Sequence, residues 1–86
     1  MDDALMLRRA LLLQLEAASP ASLPTETLSL GLSCAGFSSN AREVLAALDY
    51  LEQKGFAKIS RSQISAAHIR ASLTAAGRDY LESGDF

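Results

Sequence analysis

The spacing of apolar residues changes at Gly55, and that change narrows the fold more than any other feature of the chain. Before it, Val44, Leu48 and Leu51 recur at helical intervals, flanked by Leu45 and Ala47. Asn40-Ala41-Arg42-Glu43 has the form of a capping box, with Asn40 as N-cap and Glu43 reaching back. After Gly55, Phe56-Ala57-Lys58-Ile59-Ser60-Arg61 alternates, with Ala57 and Ile59 on one face. Ile69, Ala71 and Leu73 alternate again, and Ser62 to Ala67 between them reads as a hairpin tip.

Two more helices precede this unit. The first spans Asp2 to Ala18, with Leu7, Leu11 and Leu15 in one apolar line and Met6, Ala10, Leu13 and Ala17 in the next. Asp2 and Asp3 suit the positive end of its dipole, and Ser19-Pro20 stops it. Pro20 to Pro24 reads as a connector. The second helix then runs from about Pro24 to Cys34, with Leu28 and Leu32 on one face, Leu30 beside them and Gly36 as its stop. Thr74 can cap a final short helix that turns Tyr80 and Leu81 inward. The expected elements are helices at about 2–18, 24–34 and 41–53, strands at about 56–61 and 67–73, and a helix at about 75–82. With 86 residues, 49% of them hydrophobic, the chain suffices for one domain over 1–86 around one core. The class is α+β and mostly helical.

From Asn40 onward the chain resembles winged helix-turn-helix proteins. Val44-Leu45-Ala46-Ala47-Leu48-Asp49-Tyr50-Leu51-Glu52-Gln53-Lys54-Gly55-Phe56 resembles a recognition helix and its exit into the wing. Leu73-Thr74-Ala75-Ala76-Gly77 resembles the L-T-x-x-G step that follows the wing in many regulators. The layout is also similar to small winged-helix proteins encoded in Mu-like prophages. The resemblance implies three helices, a β-hairpin wing and a short C-terminal helix. It also implies a DNA-binding transcriptional regulator of phage derivation.

In this fold the third helix enters the major groove with its N-terminal residues leading. The outward stripe is then Arg42, Ala46, Asp49 and Gln53, with Ser38, Ser39 and Asn40 at the leading end. Arg42 can fork onto guanine, and the three polar residues can reach phosphates or base edges. The plainer alternative makes Asn40 a cap and Arg42 a solvated charge. Asp49 works against a phosphate backbone. On the wing, His68, Arg70 and Ser72 face outward, Lys58 and Ser60 share that face, and Arg61 lies near the tip. Such a patch can hold phosphates in a salt-dependent way, or simply keep an edge hairpin soluble.

Charge favours a rival. The formal net charge is -2 and the pI about 5.2, whereas dedicated nucleic-acid binders carry a basic excess. A winged-helix module that binds protein and not DNA fits that balance. Leu5 and Leu12 fall on the side of the first helix that carries Arg8, Arg9 and Glu16, which reads as a homodimer contact or, more plainly, as scattered surface leucines.

No catalytic or metal site is expected, and no cofactor. One His and one Cys cannot assemble a thiol–imidazole pair with any specificity, so His68 reads as an exposed wing residue and Cys34 as a core filler. There is no metal-ligand spacing and no glycine-rich phosphate loop. The single cysteine fits a reduced, cytoplasmic setting. No signal peptide is recognisable, and no apolar run approaches a membrane span.

Overall fold

The computed structural model describes residues 3–61 and 69–83. Their order is α1 (Asp3–Ala18), β1 (Leu23–Pro24), α2 (Thr25–Cys34), α3 (Ala41–Gln53), β2 (Ala57–Arg61), β3 (Ile69–Leu73) and α4 (Ala75–Ser83). The strands form one antiparallel sheet in the order β1-β3-β2. No helix among the described residues is long and apolar enough to cross a membrane.

β1 replaces part of the expected connector. Leu23 pairs with Ala71 and Pro24 with Arg70. Two residues are too few to display an alternating pattern. Proline is tolerated there because β1 lies at the edge of the sheet, where a missing N–H costs no ladder bond.

The core joins Leu11, Leu12 and Leu15 of α1 to Leu28 and Leu32 of α2, and to Val44, Ala47, Leu48 and Leu51 of α3. Ala57 and Ala71 close it from the hairpin. Each fully buried leucine contributes about 1.5–3 kcal/mol relative to exposure. Gln14, which lies beside this core, satisfies its amide by donating from Nε2 to the Leu28 carbonyl at 3.2 Å.

Three sequence expectations fail here. Leu12 is not on a free surface but 0% exposed, so it cannot meet a second copy. The reason is that α1 packs against α2, α3, β3 and α4 together, so one apolar stripe is not enough for it. The neighbouring line is correspondingly wet: Met6 and Leu13 are exposed. Cys34 is exposed too, and fills no core. It follows Leu32 by two residues, which places it about 200° round the helix from the buried line. Leu30, two residues before Leu32, is 66% exposed on the same grounds.

Candidate nucleic-acid interface

The leading end of α3 is delivered by two local devices in series. At the end of α2, Gly36 has φ 93, and its N–H donates to the Ser33 carbonyl at 3.1 Å. The Phe37 N–H donates to the Leu32 carbonyl at 2.9 Å. This paired arrangement needs a left-handed residue, which glycine adopts without a side-chain clash. Four residues later the capping box closes. The Glu43 N–H donates to Asn40 Oδ1 at 2.9 Å, and the Asn40 N–H donates to Glu43 Oε1 at 3.1 Å. Asn40 is thus a cap, and its amide nitrogen alone is left to reach outward.

α3 ends as α2 does. Gly55 has φ 80, its N–H donates to the Glu52 carbonyl, and the Phe56 N–H donates to the Leu51 carbonyl, both at 2.9 Å. The hairpin leaves from this stop. Its return is fixed by Thr74, whose hydroxyl donates to the Gly55 carbonyl at 2.6 Å and accepts from the Gly77 N–H at 3.0 Å. One hydroxyl therefore caps α4 and ties it to the exit of α3. A side chain at Gly77 would collide with the Phe56 carbonyl. The Phe56 ring stacks on Tyr80 at 4.4 Å. The Leu73–Gly77 step is thus a structural lock that sets the angle between α3 and the hairpin.

On the outer face of α3, Arg42, Ala46, Asp49 and Gln53 are all exposed. Gln53 Nε2 donates to Asp49 Oδ2 at 3.1 Å. The helix carries one arginine against Glu43, Asp49 and Glu52, so it is anionic as a whole, and its one arginine stands on the first turn beside Glu43. Ser38 is exposed and Ser39 half-buried beside that turn. Among the described residues Arg42 has no ion pair.

The hairpin divides the expected cation patch. The register sets Lys58 opposite Ser72 and Ser60 opposite Arg70, all on the outer face. Arg61 sits opposite Ile69, on the face turned to α3, where it meets Glu52 at 3.6 Å. Arg70 is exposed but engaged: its Nε donates to Ser22 Oγ at 2.8 Å, and its Nη2 to the Ser22 carbonyl at 2.9 Å. Lys58 is exposed, with no partner among the described residues. His68 and the expected tip, Ser62 to Ala67, lie outside those residues. Ser22 gave no signal in sequence, because its role depends on a strand pairing formed 48 residues later.

Comparison with known proteins settles the fold and nothing finer. No family model matches the chain, and no curated protein matches it. Solved structures do. The YusO protein from Bacillus subtilis superposes with a TM-score of 0.71 at 21% identity, over 88% of this chain and 49% of that one. A mutant of S. aureus MepR gives 0.70 at 18% identity, over 88% and 51%. A probable transcriptional regulator from Pseudomonas aeruginosa gives 0.66 at 23% identity, over 91% and 53%. The fold is a winged helix. In its terms α2 and α3 form the helix-turn-helix, and β2 and β3 form the wing. The chain spans about half the length of each of these structures.

Proposed function

We propose that this winged helix binds double-stranded DNA as part of a transcriptional regulator, with no catalytic role. The observation that carries the reading is the placement of two cations free among the described residues. Arg42 stands on the first turn of α3, and Lys58 on the outer face of the wing that follows it. Ser38, Ser39 and Asn40 flank Arg42, and Arg70 keeps donors beyond its two bonds to Ser22. Arg61 contributes less, because Glu52 neutralises it. His68 stays in the proposal through the sequence pattern alone, as does a phage origin. A cytoplasmic setting goes with the reading and rests on the single cysteine.

Of the homodimer contact expected on the first helix, only Leu5 keeps any exposure, and sedimentation at rising concentration tests it. A winged helix that binds protein instead of DNA is favoured by one observation, the excess of carboxylates along α3. Titration of a labelled mixed-sequence duplex at low and moderate salt separates the two. The DNA reading predicts binding at low salt that weakens as salt rises and on Arg42→Ala. No binding at low salt would remove it.

A further inference from the structure

Arg70 and Lys58 stand on one face of the sheet but are held differently. Register sets Arg70 between Pro24 and Ser60, and sets Lys58 against Ser72. Side chains alternate between the faces of a strand, so Lys58, Ser60, Arg70 and Ser72 lie on the side away from the buried Ala57 and Ala71. Lys58 has no partner among the described residues, whereas Arg70 is bonded twice to Ser22. We propose, resting on the DNA reading above, that Ser22 is a positioning residue, which presents Arg70 ready-oriented to a phosphate of the DNA backbone.

Both bonds from Arg70 end on one residue. Nε donates to Ser22 Oγ at 2.8 Å and Nη2 to the Ser22 carbonyl at 2.9 Å. Ser22 therefore occupies the side edge of the guanidinium, the edge formed by Nε and Nη2. One N–H on each of Nη1 and Nη2 points past the tip, and this end-on fork matches two oxygens of a phosphate. The partner is neutral, so Arg70 keeps its whole charge, whereas Arg61 faces Glu52 at 3.6 Å. An arginine loses many rotamers when it is fixed, and Ser22 fixes this one before the phosphate arrives. Ser22 is itself anchored, because the next two residues, Leu23 and Pro24, pair with Ala71 and Arg70.

Two other roles fit less well. As a strap that only fastens the connector to the sheet, the pair would duplicate β1, which already does so through Leu23 and Pro24. As a charge that keeps a sheet edge soluble, Arg70 is in the wrong place, since β3 is the central strand. Its diagonal neighbour across the wing is Lys58, about 7–8 Å away by strand geometry. The held cation and the free one thus reach the same stretch of backbone.

The experiment is fluorescence anisotropy of a labelled mixed-sequence duplex over a salt series, with the thermal transition of each variant followed by circular dichroism. Arg70→Ala removes a charge and should lower the slope of log affinity against log salt by about 1. Ser22→Ala leaves the charge count alone, so it should weaken binding about threefold to tenfold and leave the slope unchanged. Ser22→Thr keeps the hydroxyl and should restore binding. In the Arg70→Ala background, Ser22→Ala should add nothing. Arg70→Lys keeps the charge without the fork, so it should hold the slope and lose affinity, and it carries the test if Ser22→Ala unfolds. Binding that Arg70→Ala leaves intact would overturn the proposal and leave the DNA reading standing. So would a folded Ser22→Ala that binds as the unchanged protein does, or one that melts earlier at equal affinity and is only a strap. So would a Ser22→Ala loss that persists without Arg70. No binding by the unchanged protein at low salt would remove the DNA reading and the role of Ser22 together.

Discussion

α1 and α3 both carry leucines at helical intervals, yet the fold treats them differently. α3 buries one stripe, Val44, Ala47, Leu48 and Leu51, and leaves the opposite face to Arg42, Ala46, Asp49 and Gln53. α1 buries the adjacent Leu11 and Leu12 together with Leu15, because α2, α3, β3 and α4 all pack against it. The more peripheral helix is the one free to present a surface, and its first turn bears the proposed DNA contact. The more central helix organises the fold, although Met6 and Leu13 on it stay exposed.

That contrast can be broken in order of size. Leu12→Ala should cost about 2–5 kcal/mol of stability by chemical denaturation, the range for an emptied core leucine. Leu13→Ala, one position along, should stay within about 0.5 kcal/mol. Equal effects would mean that α1 is not buried on the side described. Gly77→Ala tests the lock behind α3 and should cost about 1–3 kcal/mol, since backbone must move to admit the methyl group.

Effects at the exposed end of α3 should divide between stability and binding. Arg42→Ala should lower duplex affinity by about 1–3 kcal/mol if it reads a base, with an unchanged melting temperature. Asn40→Ala should cost about 1 kcal/mol of stability through the lost cap, and Asn40→Asp should restore it. Lys58→Ala is the smallest, reducing the slope of log affinity against log salt by about 1 with no change in stability.

The same contrast explains what could be read in the sequence. α3 was legible residue by residue, because a helix packed on one side shows its single stripe and its capping box openly. The change of period at Gly55 revealed the wing, and the Leu73–Gly77 step announced the hydroxyl and glycine that lock it. α1 was misread at Leu12 and Leu13, since a helix with several neighbours has no single apolar face to find. β1 was too short to show a period. The candidate site was legible as a set of residue types but not as a patch. Whether Arg61 and Arg70 are free depends on Glu52 and Ser22, partners chosen by strand register and not by local spacing.

The most direct test of the DNA-binding account is a map of backbone amide shifts by NMR as a duplex is added at low salt. The account predicts that shifts concentrate at Ser38 to Arg42 and at Lys58 to Ser60, while Tyr50 and Tyr80 stay unmoved. Shifts confined to Tyr50 and Tyr80, or none at all, would contradict it.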